Sequence, residues 1–129
     1  MRILLDTHIW LWSLLEPEKL SRKMLRALQS GSELWLSPIS VWELTMLVNK
    51  NRIGLSKPVT VWVEEALSRA PLREATVTSE VALEISRFSL PQRDPADYFI
   101  VSSARVFDLT LATADQRLIS ARACRILPN

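Results

Sequence analysis

The chain has 129 residues, enough for one domain over 1–129 that buries roughly two-thirds of the surface its unfolded form would expose. Its single cysteine, Cys124, and single histidine, His8, exclude an internal disulfide and a Cys/His zinc set, which points to a reducing, cytoplasmic setting. A formal net charge of +2, with arginine supplying 12 of the 16 cations, permits a nucleic-acid partner without requiring one.

The first apolar run is cut by Asp6 and His8, and no window approaches the ~18 apolar residues of a membrane span. A positive mean hydropathy and five tryptophans predict a face for self-association, with Trp62 the strongest candidate for a dimer or partner contact.

In chain order, RILL at 2–5 reads as a buried strand and the pattern at 7–15 as a helix, with Asp6 placed to cap it. A helix is predicted at 19–30, a strand ELWLS at 33–37, and a helix at 38–51 opened by Ser37 as cap and Pro38 as first helical residue. There follow a helix at 59–69, a strand REATVT at 73–78 and helices at 79–87 and 95–107. LTLAT at 109–113 reads as a strand, 115–121 as a helix and CRIL at 124–127 as a closing strand. Strands alternating with helices predict a parallel sheet covered on both faces.

Only Gly31 and Gly54 occur, neither in a glycine-rich turn. A phosphate loop or dinucleotide fingerprint needs glycines so that backbone amides can approach the phosphates, so no nucleotide cofactor is expected.

The acids carry the chemistry. Glu43 projects from the predicted stripe of Ile39, Trp42, Met46 and Leu47, and its helical neighbours Ile39, Ser40, Met46 and Leu47 include no base. A carboxylate buried there needs a cation from elsewhere. In RDPADYFIVSSARVF, Asp94 suits an N-cap, and Asp97 fits a first-turn helix position and an inward-facing site equally well.

Asp115, just beyond Thr113, repeats the strand-end position of Asp6, and ligand sites of open parallel sheets lie outside the carboxyl ends of the strands. Four acids brought to one edge repel one another, and a divalent cation relieves that repulsion. Oxygen-only ligands point to Mg²⁺ or Mn²⁺.

The series LLDTHIWLW, SPISVWEL, DPADYFIVSSA and LATADQRLI resembles the PIN-domain family, and within it the VapC toxins of type II toxin-antitoxin systems, over residues 2–119. The resemblance implies a three-layer α/β/α sandwich with a central parallel sheet of four to five strands. It also implies a Mg²⁺-dependent endoribonuclease, commonly a homodimer, neutralised by a small antitoxin protein. The family's carboxylates match Asp6, Glu43, Asp97 and Asp115, and Thr113 matches a hydroxyl residue often found two before the last acid. Asp94 belongs to an Asp-Pro-x-Asp variant of the third motif, with Asp97 the expected ligand.

Thr7 and His8 are expected beside the site, His8 as a neutral, partly buried neighbour rather than a catalyst. Arg93, Arg117 and Arg52 are the candidate contacts to RNA phosphates. Two other functions stay in view. A noncatalytic PIN-like module binding RNA or protein would be expected to have lost an acid, and a small-molecule phosphohydrolase would want Asp-x-Asp where the chain has Asp6, Thr7 and His8.

Overall fold

The computed structural model describes residues 1–129. Strand β1 (Arg2–Leu5) leads into α1 (Thr7–Leu15), a 3₁₀ turn at Pro17–Lys19 and α2 (Arg22–Gln29). Strand β2 (Glu33–Leu36) is followed by α3 (Pro38–Asn49) and α4 (Val59–Arg69), and β3 (Leu72–Glu74) by α5 (Ser79–Glu84) with a 3₁₀ turn at Ile85–Arg87. Helix α6 (Pro95–Val106), β4 (Thr110–Thr113), α7 (Gln116–Ala121) and β5 (Ile126–Pro128) complete the chain.

The five strands form one all-parallel sheet in the order β3-β2-β1-β4-β5. Alternation within β1 divides the core between its two faces. Ile3 and Leu5 pack with Ile9, Trp10, Met24 and Leu44 on one side, and Leu4 packs with Ile100, Val101, Leu111 and Leu118 on the other. This is the three-layer α/β/α arrangement, with α1, α2, α3 and α4 contributing to the first core and α6 and α7 to the second.

The strand order reverses beside β1. The chain runs outward through β2 and β3, then returns to place β4 on the other flank of β1. Neighbouring connections therefore leave in opposite directions, and a crevice opens at the carboxyl ends of β1 and β4. The pairing of Leu5 with Ala112 continues one step further, as the Asp6 N–H donates to the Ala112 carbonyl at 2.9 Å.

Beyond shifts of one or two residues at other element ends, four boundaries differ from the sequence pattern. Helix α2 starts at Arg22 because the Ser21 hydroxyl accepts from the Met24 N–H at 3.0 Å, while Leu20 turns into the core. Strand β3 stops at Glu74: after Ala75 donates to the Leu36 carbonyl, its neighbour has turned into α3 and offers no further ladder. The predicted helix at 79–87 tightens to 3₁₀ geometry in its last turn, and the closing strand lies at Ile126–Pro128 rather than 124–127.

One side-chain orientation also differs, and one tryptophan gains a partner in the core. Trp42 is 51% exposed, so the inward stripe of α3 is built on Ser40 and Leu44, with Glu43 beside it rather than within it. Trp62 packs edge-on against the fully buried Trp10, ring centroids 6.0 Å apart, which leaves Trp42 as the exposed tryptophan.

Candidate active site

The crevice is a cavity of about 340 Å³ whose walls include Asp6, Thr7, His8, Glu43, Asp94, Asp97, Asp115 and Arg117. Asp6 caps α1: its Oδ1 accepts from the Thr7 N–H at 2.9 Å, and its Oδ2 accepts from the Thr113 hydroxyl at 2.6 Å. Thr113 also takes the Asp115 N–H at 3.0 Å, so the ends of β1 and β4 are tied through one hydroxyl.

From α3, Glu43 reaches Thr7, whose hydroxyl lies 2.5 Å from Glu43 Oε1 and 2.9 Å from the Ser40 hydroxyl. At the start of α6, Asp94 caps the helix through the Ala96 N–H at 3.0 Å, and Asp97 Oδ2 accepts from Gln92 Nε2 at 3.1 Å. Asp115 caps α7 and pairs with Arg117 through Nε at 3.2 Å and Nη2 at 3.0 Å. Capping and site membership coexist: a cap gives a carboxylate a fixed direction at the sheet edge.

The acids are short of compensating charge. Burial pushes the Asp6 carboxyl above its ordinary value, against the hydrogen bonds from Thr113 and Thr7. Burial raises Glu43 to about 7, with Asp6, Asp94 and Asp97 adding repulsion. Burial likewise raises Asp97 to about 6, helped by Asp94, Asp6 and Asp115. At Asp115 burial pushes the same way, but the bonds and charge from Arg117 outweigh it and hold this carboxyl low.

A PIN-domain family model matches residues 3–123. The chain belongs to the PIN-domain family. Ribonuclease VapC22 of Mycobacterium tuberculosis is 34% identical over 123 residues, covering 93% of this chain and 92% of the relative. Among solved structures, VapBC2 from Rickettsia felis, bound to a promoter DNA fragment, superposes with a TM-score of 0.73 at 15% identity, covering 99% of this chain and 98% of that one. FitAcB from Neisseria gonorrhoeae gives a TM-score of 0.68 at 23% identity, covering 97% and 96%. At these identities both likenesses speak to the fold, and the fold is the PIN-like α/β/α sandwich.

PIN-domain ribonucleases depend on metal in general, and the donor set here suits one: hard carboxylate oxygens, no thiolate, and repulsion that a single arginine does not cancel. No three of the acids are drawn together about a single point as a bound ion would draw them. Each is engaged by its own donor, so holding an ion requires their oxygens to converge.

Several expectations about neighbouring residues change. His8 is exposed rather than partly buried, sitting on the rim with its ring 5.8 Å from that of Trp12. Of the three arginines, only Arg117 lines the crevice. Arg93 is exposed outside its lining, and Arg52 lies in a separate groove that meets the crevice at His8 and Trp12. Ser40 and Gln92 escaped the sequence reading. Nothing in LPQRDP distinguishes a glutamine that points inward from one that points to water. No helix is long and apolar enough to cross a membrane.

Proposed function

We propose that this chain is a single PIN-type unit over residues 1–129 that cleaves RNA internally with the help of Mg²⁺, and that it is the toxin of a toxin-antitoxin pair. The observation that carries the reading is that Asp6, Glu43, Asp97 and Asp115 line one crevice where Arg117 is the only guanidinium. The kinship to Ribonuclease VapC22 supports the substrate class.

Asp6, Glu43, Asp97 and Asp115 would hold Mg²⁺, with Mn²⁺ a substitute, and Thr7, Thr113, His8 and Asp94 stand beside them. Bound there, such an ion supplies Lewis-acid polarisation and charge neutralisation for phosphodiester hydrolysis. The chain's own part is orientation. Thr7 and Thr113 aim the carboxylates of Glu43 and Asp6, and the Arg117 guanidinium is placed to exchange Asp115 for a phosphate oxygen. Water replaces the 3′ oxygen at phosphorus, which leaves a 5′-phosphate and a 3′-hydroxyl. Arg52 and Arg93 would contact phosphates of a longer RNA strand running beyond the crevice.

The protein partner is a small antitoxin, as the Rickettsia felis structure contains a VapBC pair. Exposed Leu14 and Leu15 on α1, Trp42 on α3 and Val61 on α4 supply apolar surface for that partner and for a homodimer.

The test is induced expression of the parent and of Asp6→Asn, with growth and total-RNA cleavage followed in Mg²⁺ and in EDTA. Cleavage and growth arrest by the parent alone, abolished by EDTA, are expected. A parent that leaves RNA and growth untouched in Mg²⁺ sinks the nuclease reading and leaves a binding module.

A further inference from the structure

Each of the four acids has one side chain donating to it: Thr113 to Asp6, Thr7 to Glu43, Arg117 to Asp115 and Gln92 to Asp97. Gln92 differs from the others because it stands on no helix or strand, yet like Thr7 and Thr113 it is buried, at 8% exposure. Its Nε2 lies 3.1 Å from Asp97 Oδ2, while its Oε1 is sealed from solvent with no donor in reach.

That orphaned oxygen follows from the first contact. A primary amide against a carboxylate must present its NH₂, since turning the group over would set oxygen against oxygen. The carbonyl then faces protein atoms that offer it nothing. An unpaired buried acceptor destabilises a fold, and such a group in a native structure calls for a physical reason.

We propose that Gln92 is a positioning residue of the nuclease site, held at a cost in fold stability so that its amide fixes the Asp97 carboxylate for metal binding. This rests on the crevice being the metal-dependent site proposed above. Unlike Arg117, Gln92 brings no charge, so it orients its acid without competing with a cation for it.

The experiment compares the full-length parent with Gln92→Met, similar in length but without polar atoms, and Gln92→Asn, which keeps the amide but is one methylene short. Mn²⁺ binding is followed by the electron paramagnetic resonance signal of the free ion, and the metal-free proteins are melted in EDTA. Both variants are expected to bind Mn²⁺ about tenfold more weakly. Metal-free Gln92→Met is expected to melt at the parent's temperature or above it. A Met variant that keeps the parent's affinity within about twofold overturns the assignment, as does one whose stability falls along with its affinity.

Should the parent itself take up no Mn²⁺, the nuclease reading fails. The role of Gln92 is then decided in the metal-free protein by nuclear magnetic resonance of its side-chain NH₂. A protected, downfield-shifted proton lost in Asp97→Ala supports the amide's hold on that carboxylate, and an unchanged signal overturns it.

Discussion

The two ends of the one sheet treat charge in opposite ways. At the amino end, Arg2 bonds Glu33 at 3.4 Å and the carbonyls of Phe107 and Asp108 at 2.9 and 3.2 Å, with its guanidinium 5.4 Å from the Trp35 ring centroid. Arg73 lies 3.7 Å from Glu33, and Arg125 pairs with Asp108 at 2.7 Å. Every acid there has a cation, and Glu33 is held low, chiefly by the Trp35 N–H. At the carboxyl end, Asp6, Glu43 and Asp97 have neutral donors and sit above their ordinary values. Pairing of this kind marks charge that serves the fold. Unpaired burial is what the proposed metal site calls for, since a cation would supply the charge these acids lack.

The sharpest way to break this contrast is to neutralise one acid at the carboxyl end. Asp6→Asn keeps an oxygen for the Thr7 N–H and presents its NH₂ to the Thr113 hydroxyl, which can accept as well as donate, and it removes a charge that burial disfavours. Cleavage of RNA in Mg²⁺ is expected to fall at least about a hundredfold, since even neighbours of a metal ligand account for 10–100-fold. The thermal midpoint in EDTA should hold or rise. A variant that melts much earlier and loses activity in proportion would make Asp6 a residue of the fold, like its counterparts at the amino end.

The ends also predict opposite responses to pH. Glu43, ordinarily near 4.5, titrates at about 7 when folded, and Asp97, ordinarily near 3.8, at about 6. Through that window the folded protein holds protons the unfolded chain has released, so stability in EDTA falls as pH rises. Glu33, held low, acts the other way: its contribution is present above 4.5 and lost as pH falls through its folded value. Melting temperatures in EDTA should therefore decline between about pH 5 and 8, and the decline should shrink in Asp97→Asn. A flat profile in the parent would mean that the carboxyl end is already compensated.

Much of this contrast was legible in the residues, and what was not has a common cause. The strands show as short apolar runs, the caps as Asp6, Ser37 and Asp94 before helical patterns, and the acids as carboxylates with no base at helical spacing. Orientation was harder wherever a helix is apolar all round. THIWLWSLL and PISVWELTMLVN carry no periodic preference for one face, so the pattern could not tell that Trp42 points out or that His8 lies on the rim. The contact of Trp62 with Trp10 does not show in the local pattern because Trp10 comes from a distant helix. Gln92 was invisible because its role depends on a loop conformation that no period encodes.

A smaller effect is expected where a cation does reach the acids. Arg117 pairs with Asp115 but stands at the mouth of the crevice, so Arg117→Gln should raise the KM for RNA by about five- to tenfold and change kcat less. If kcat fell and KM held, Arg117 would act only by orienting Asp115.

The smallest effect belongs to the amino end, and it tests whether pairing there is confined to the fold. Arg2→Ala removes an exposed ion pair and two bonds to the Phe107–Asp108 turn that precedes β4. Exposed pairs of this kind contribute little, so the thermal midpoint should drop by only about 3 °C. RNA cleavage and Mn²⁺ affinity should stay within about twofold of the parent. The reason is distance along a rigid sheet: Arg2 opens β1 and Asp6 follows its end, and the hydrogen bonds of Ile3, Leu4 and Leu5 to the neighbouring strands fix the carboxyl edge whatever becomes of the amino edge. A large loss of metal affinity in Arg2→Ala would show that the ends are coupled through β1 and that charge pairing at one end sets the geometry of the other.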